Sequence, residues 1–389
     1  MKTEDRATIA ARSPVSILRI SNLNVGGTTE GAPFVPGRTE GFFFAMTLRG
    51  SLRAAARAIR ALLIAASSLY GLAIVLLALL WTAGADAWWV SLTNIFAALL
   101  FAPLIVLVPA ALLVPSRWLR GAVVAPLAIF FASFGPQLLP PLPATSEGTP
   151  LRVVTFNLQV TNRRVDEVIA AIADQNADVV VLQELSPQVA AAAEKQLSDI
   201  YPYQVLSVYE WPSEMGLLSR YPLREAPAQL GVQRQRVTLD IDGREVTLLN
   251  IHLPSPDYDV SPLPFARRVS VPAGYDDFWR EQEARLLLRE IDTIDGPLIA
   301  AGDFNTGDRE PLYQAFAARL RDVYRETAWG FGFTFPSKGA YFGVPLPLPV
   351  VRIDYVWTRG VTPVAAQVKC GVGGSDHCML IADLRVSAR

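Results

Sequence analysis

Three stretches of this 389-residue chain carry no Asp, Glu, Lys or Arg at all. They lie between Arg60 and Asp86, between Asp86 and Arg117, and between Arg120 and Glu147, and they run for 25, 30 and 26 residues. Each is mostly Ala, Leu, Ile, Val, Phe and Trp. A membrane-crossing helix needs about 20 predominantly apolar residues, so each stretch has room for one, at 61–83, 90–114 and 121–139. Buried helices of a large soluble core are the competing reading, and three such runs in succession disfavour it. The third run contains Pro126 and ends among Pro136, Pro140, Pro141 and Pro143. Prolines are tolerated in membrane helices where the freed carbonyls find other partners. Trp81, Trp88, Trp89 and Trp118 fall near the expected ends, where an aromatic belt would place them.

The basic residues orient these spans. Arg49, Arg53, Arg57 and Arg60 precede the first, Arg117 and Arg120 lie between the second and third, and the remaining loop has only Asp86. Lys and Arg stay on the cytoplasmic side, which puts the N-terminus inside and everything beyond about residue 145 outside. Residues 1–45, with many Gly, Thr, Pro and Ser, read as a loose cytoplasmic tail, with Met46 as an alternative start. Residues 46–144 are then the membrane anchor, and the first apolar run is too long for a signal peptide and lacks its cleavage pattern. The segment 140–150 (PPLPATSEGTP) is a stiff linker out of the bilayer.

Composition takes on meaning once it is split at this point. The whole chain is 51% hydrophobic and 18% charged with net charge -1, against about 25% charged in an average domain. Residues 1–149 hold 11 Lys+Arg and 6 Asp+Glu, a net of +5, and the remaining 24 and 30 give -6. Disorder, a polybasic nucleic-acid scaffold and an acidic tail are excluded by this balance. Two cysteines exclude a disulfide-rich scaffold and a multi-cysteine zinc module.

From residue 151 short apolar runs alternate with amphipathic ones. The segments 151–156 (LRVVTF), 178–182 (DVVVL), 237–241, 246–251 (VTLLNI) and 297–301 (PLIAA) read as strands buried on both faces. The segments 165–175 and 279–294 have helical spacing. Residues 145–389 are therefore an α/β domain. No internal repeat, dinucleotide fingerprint or Walker-type loop occurs, which disfavours a nucleotide-cofactor enzyme.

Polar residues terminate these strands. Asn157 follows VVTF, Gln183 and Glu184 follow VVVL, His252 follows LLNI, and Asp303 and Asn305 follow LIAAG. Asp354 lies in VRIDYVW, and Asp376 and His377 lie in GGSDHCML; the chain's two histidines are both in this set. Taken singly, such residues are more often turn residues, helix caps or satisfied structural histidines. Together, at one end of a buried sheet, they converge on one pocket. Glu184, Asp303, Asp354 and Asp376 without a cation would repel one another. Hard oxygen donors suit Mg²⁺ or Mn²⁺, and zinc would call for more Cys or His. A metal, two imidazoles and amide donors are the parts needed to hydrolyse a phosphate ester.

The motifs TFNL (155–158), QEL (183–185), LLSRYPL (217–223), NIHL (250–253), GDFN (302–305), RIDYVW (352–357) and SDH (375–377) resemble those of the endonuclease/exonuclease/phosphatase superfamily, in its order and over nearly all of 151–386. The resemblance implies a four-layer α/β sandwich, two central mixed sheets flanked by helices, here preceded by three transmembrane helices. It also implies roles. Glu184 would be the principal metal ligand, supported by Asn157 and Asp376. Asp303 would position or activate the attacking water, and Asn305 would hold a phosphate oxygen. His377, oriented by Asp354, would stabilise the transition state, while His252 would donate to a second phosphate oxygen or assist the leaving group. Architecture also places the chain beside membrane-anchored bacterial members.

The expected activity is hydrolysis of a phosphate mono- or diester outside the cytoplasm, with a lipid or lipid-linked ester as one substrate class. A duplex-binding protein usually presents a basic surface, and a net of -6 lends a nuclease no support. Two apolar insertions, 262–275 and 331–351, should flank the active-site mouth, either resting on lipid or packed as a lid. Cys370 and Cys378 bracket GVGGSDH, as a disulfide in an oxidising space or as two buried thiols. The alternatives are an extracytoplasmic nuclease and a catalytically inactive membrane sensor or scaffold.

Overall fold

The computed structural model describes residues 38–141, 147–210 and 213–387. By its contacts the chain forms two units, Met1–Arg60 and Ala61–Arg389. Most of the expected cytoplasmic tail, residues 1–37, lies outside the described residues, and helix α1 (Arg38–Thr82) already covers 38–45. After it come α2 (Trp88–Ile95), a 3-10 segment (Ala97–Phe101), α3 (Leu104–Leu113), α4 (Arg117–Phe134) and a 3-10 turn (Gly135–Leu138).

Among the described residues, two helices are long and apolar enough to cross a membrane, Ser51–Thr82 and Arg117–Leu138. The run at 90–114 departs from the straight helix expected there: α2 and the segment from Ala97 to Leu113 meet at 83°. Pro103 lies inside the second arm, seven residues past the break at Phe96. It has no N–H to give the Leu99 carbonyl, and Ala102 N takes that carbonyl instead in a tighter turn, at 3.0 Å. Ser116 starts α4 cleanly, its hydroxyl accepting from Leu119 N at 3.3 Å. Helices α1 and α4 pack closely at Gly71, where a Cβ would meet Ala122 O at 2.6 Å. Further along both helices, the Arg309 guanidinium lies over the rings of Trp81 and Phe134, at 4.9 and 5.6 Å.

The strands beyond are β1 (Thr149–Asn157), β2 (Val179–Gln183), β3 (Tyr203–Ser207), β4 (Met215–Ser219), β5 (Leu223–Glu225), β6 (Arg234–Ile241), β7 (Arg244–His252), β8 (Asp257–Leu263), β9 (Ala266–Asp276), β10 (Leu298–Asp303), β11 (Arg321–Asp322), β12 (Ala340–Tyr341), β13 (Val344–Pro345), β14 (Asp354–Arg359), β15 (Thr362–Lys369) and β16 (Met379–Val386). Between them lie α5 (Val165–Ala173), α6 (Pro187–Gln196), α7 (Phe278–Thr293), α8 (Pro311–Ala317) and α9 (Val323–Thr327). One six-stranded sheet has the order β15-β16-β1-β2-β4-β3, the other β11-β14-β10-β7-β6-β5. Each is mixed, with β1/β2 and β7/β10 parallel and the remaining pairs antiparallel.

The expected sandwich is present, and alternation along the strands explains it. Val153, Val181 and Leu217 of the first sheet and Val237, Leu248 and Ile299 of the second share one core. The opposite face of the first sheet sends Val154, Phe156 and Val180 against Ile169 and Ile172 of α5 and Val189 of α6. In the second, Leu249, Ile251 and Ala300 meet Leu287 and Ile291 of α7 and Phe316 of α8. A buried polar chain ties the sheets together: Gln183 Nε2 donates to Asn250 Oδ1 at 2.7 Å, and Asn250 Nδ2 donates to Leu182 O, Gly216 O and Gln235 Oε1.

Candidate active site

Strand register assembles the site. In the second sheet His252 pairs with Asp303 across β7/β10, and Asp303 pairs with Asp354 across β10/β14. In the first sheet Asn157 pairs with Gln183, one residue before Glu184. The two sheet ends face one another, and one side chain bridges them. Asn157 Nδ2 donates to Glu184 Oε1 and to Asp303 Oδ2, each at 3.0 Å. Its Oδ1 accepts from Gln159 N at 3.0 Å, so Asn157 turns its amide hydrogens toward the carboxylates.

The loops hold their shape through backbone bonds. Glu184 (φ 51°) and Asn305 (φ 46°) both adopt the left-handed conformation, which is costly for non-glycine residues and recurs at functional sites. Val160 N donates to Glu184 Oε2 at 2.9 Å, and Asn305 N to Asp303 Oδ1 at 2.9 Å. Asn305 Nδ2 is fixed on Leu253 O, and its carbonyl accepts from the buried Arg280. Gly302 must be glycine, since a Cβ would lie 1.9 Å from Ile251 O.

The two histidines sit in different surroundings. His377 Nδ1 lies 3.2 and 3.0 Å from the two oxygens of Asp354, and its Nε2 lies 3.8 Å from Asp303 Oδ2. Phe335 packs on its ring at 4.7 Å. Burial alone would lower its pKa, but Asp354 and Asp303 outweigh that and push it up to about 10. His252 Nδ1 is buried with no hydrogen-bond partner among the described residues. Burial holds its pKa below the ordinary value, with Glu184 opposing only in part.

The acids divide similarly. Burial and the neighbouring Asp354 push Asp303 up to about 7, and burial raises Asp376. For Glu184 burial works upward too, but the donors Val160 N and Asn157, with the two imidazoles, hold it below the usual range. Glu184, His252, Asp303, Asn305, Asp376 and His377 line one cavity of about 460 Å³. Asn157 and Asp354 stand behind them, fully buried.

This donor set fits a hard divalent cation. Four carboxylates face two imidazoles, and the raised Asp303 and Asp376 mark negative charge that the chain itself leaves uncompensated. Asp303, Asp354 and His377 also present one donor atom each within 4.8 Å of one another. There, however, His377 Nδ1 is engaged with Asp354, which favours an acid–imidazole pair.

Several contributors have no pattern pointing to them. Gln159 Nε2 binds Asp376 Oδ2 at 3.1 Å. Ser375, inside the SDH motif, clamps Asn157 O at 2.7 Å and receives His377 N at 3.0 Å. Of the two insertions, 331–351 supplies Phe335, Tyr341 and Val351 to the cavity, while 262–275 forms most of the β8–β9 hairpin. Cys370 and Cys378 are joined as a disulfide just beside the Asp376–His377 turn.

The model of the endonuclease/exonuclease/phosphatase family matches residues 154–377, more than half the chain. The chain belongs to that family. Its phosphoesterase domain thus carries the buried Asp/His cluster described above. Solved structures it resembles include a family member from Beutenbergia cavernae (21% identity over 61% of this chain and 72% of that one, TM-score 0.42). Sphingomyelinase C from Streptomyces griseocarneus is 20% identical over 60% and 99%, with TM-score 0.44. TDP2 of D. rerio in complex with a single-strand DNA product is 18% identical over 61% and 99%, with TM-score 0.45. No curated protein matches the chain.

Proposed function

We propose that this family member is a membrane-anchored, divalent-cation-dependent phosphoesterase that hydrolyses a phosphate mono- or diester outside the cytoplasm. The observation that carries the reading is the Asn157 bridge, which brings a low-pKa carboxylate from one sheet and a raised one from the other to a single cavity. Glu184 is the principal ligand for Mg²⁺ or Mn²⁺, with Asp376 beside it and Asn157 holding the carboxylate in place. Bound there, the cation supplies charge neutralisation at a phosphate oxygen. Asp303 orients the attacking water and takes its proton as the new P–O bond forms. His377, kept protonated by Asp354, offers Nε2–H to the charge that builds on the phosphoryl oxygens. Asn305 and His252 bind the remaining oxygens, and His252, held neutral, is suited to donate one N–H toward the leaving oxygen as its bond to phosphorus breaks.

Three crossings support the extracytoplasmic setting. Contacts at Gly71 with Ala122, and of both Trp81 and Phe134 with Arg309, indicate that α1 and α4 run in the same direction. Two parallel spans require the chain between them to return across the membrane, so the bent segment reads as a broken span. Arg117 and Arg120 then lie inside and the Cys370–Cys378 disulfide lies in an oxidising space.

The test is turnover of p-nitrophenyl phosphate and bis(p-nitrophenyl) phosphate by the full chain in detergent. Hydrolysis should require Mg²⁺ or Mn²⁺ and disappear in EDTA; an undiminished rate in EDTA would sink the reading. For the topology, a C-terminal alkaline phosphatase fusion should be active in cells, and an inactive fusion would place the domain inside.

A further inference from the structure

The active-site cavity has two unlike walls. One is the set of carboxylates and imidazoles. The other is apolar, and part of it comes from the membrane anchor: Ile95 and Phe96, at the 83° break, line the cavity together with Phe335, Tyr341, Val351 and Ile353. Aromatic rings connect the break to the chemistry without a gap. Phe96 packs on Tyr341 at 5.7 Å, Tyr341 on Phe335 at 5.6 Å, and Phe335 on His377 at 4.7 Å. The loop after GDFN touches the same place, since a Cβ on Gly307 would stand 3.1 Å from Ile95 Cα. A mere tether would need no such contact. Here the bend lines one side of the catalytic cavity, and the hydrophobic cluster of Val350, Val351 and Ile353 extends onto Ile95 and Phe96.

Resting on the phosphoesterase reading, we infer that the bend at Ile95–Phe96 is a substrate-selecting element: it receives the aliphatic chain of a membrane-resident phosphate ester whose headgroup lies at Asp303 and His377. The chemistry favours this occupant over a nucleic acid strand. The wall's rings would offer bases a stacking surface, but a polyanionic backbone would have to approach a domain of net charge -6 with no basic track leading to the cavity among its lining residues. An alkyl chain already in the bilayer enters along the anchor and exchanges one apolar surface for another, while its phosphate leaves the interface for a cation site. The 83° break is then what exposes the wall, because a straight helix would continue past the cavity without presenting its side.

The test uses p-nitrophenyl alkyl phosphates from methyl to octyl, with the full chain in one detergent at fixed concentration. Burying a methylene from water is worth about fourfold in kcat/KM, and detergent offsets much of that gain, so the octyl ester should exceed the methyl ester about tenfold rather than by the full product over seven methylenes. Phe96→Ala, and separately Ile95→Trp, which fills the wall where the first empties it, should cut the octyl-to-methyl ratio severalfold. Partition into micelles cancels in that comparison. A turnover-independent readout is the rise in Tm given by octylphosphonate over methylphosphonate in the presence of Mg²⁺, which should shrink in both variants. Equal ratios and equal Tm rises in wild type and variants would overturn the inference, as would thymidine p-nitrophenyl phosphate being preferred to the octyl ester. Hydrolysis of the methyl ester with no dependence on chain length overturns this inference and leaves the phosphoesterase reading standing. Failure to hydrolyse any ester with Mg²⁺ or Mn²⁺ overturns that reading, while the phosphonate measurement still judges the wall.

Discussion

The protein buries charge in two ways within one sandwich. Near β14, Arg352 binds both oxygens of Asp322 at 3.0 and 2.7 Å and lies over the Tyr355 ring at 4.5 Å. On α7, Arg280 meets Glu310 at 2.6 Å, Asp277 at 2.9 Å and the Tyr275 hydroxyl at 2.7 Å. In both, the charges are matched, and burial's upward push on Asp322 is overcome by Arg352, which holds it below its ordinary value. The active-site cluster is as deeply buried yet unbalanced in charge: four carboxylates stand against two imidazoles, Asp303 is pushed up and His377 is pulled up. Sequences that specify a fold satisfy buried groups, and the places where they do not are where function is expected. Matched clusters therefore belong to stability, and the unmatched one to chemistry.

Removing His377 attacks the unmatched side most directly. His377→Ala should lower kcat by about 10³-fold, and Asp354→Asn, which acts through the ring's orientation, by about 10². An unchanged kcat in His377→Ala would undo the proposed roles. The matched side should respond the other way round. Arg352→Met leaves Asp322 buried and unpaired, costing about 3–5 kcal/mol of stability. Replacing both, Arg352→Met with Asp322→Leu, should recover most of that loss, as read by thermal unfolding.

This contrast was only half legible in the sequence. Residues ending buried apolar strands, from Asn157 to His377, stand out because a charged or amide group after a run such as VVVL or LIAAG has no place in a core. Parallel register then carries His252 and Asp303 side by side. The bridging role of Asn157 was not legible, since its partners lie on two different sheets. Neither was the bend at Phe96: apolar composition at 90–114 suits a straight span, and the residues around Phe96 carry no helix breaker. The approach of Ile95 to Gly307 joins residues far apart in sequence and leaves no local trace at all. Cysteine spacing allowed either thiols or a bond, and only the turn between β15 and β16 brings Cys370 and Cys378 together.

A smaller effect separates the clusters by their response to cations. If the surplus of carboxylates is a metal site, Mg²⁺ or Mn²⁺ at a hundred times its dissociation constant should stabilise the folded chain by about 2.7 kcal/mol. Glu184→Gln should remove most of that gain, whereas disrupting the matched pair with Arg280→Lys should lower Tm and leave the cation-dependent increment in place. An equal increment in the Glu184 variant would put the cation elsewhere.

Glu283 is an intermediate case and gives the mildest test. It lies buried on α7 and accepts from the backbone N–H of Gln233, a cavity-lining residue, and among the described residues no cation offsets its burial. Burial dominates over that one donor and pushes its carboxyl from an ordinary 4.5 up to about 7. Between those values the folded chain holds a proton that the unfolded chain has released. Unfolding free energy from this group therefore falls as pH rises from 4.5 through 7, the reverse of a salt-bridged acid such as Asp322. Allowing for residual hydration, the loss is on the order of 1–2 kcal/mol. Glu283→Gln keeps an acceptor for Gln233 and has no proton to lose. The difference in Tm between variant and wild type should thus grow in the variant's favour from pH 5 to pH 8. A constant difference over that range would mean that the carboxyl ionises normally.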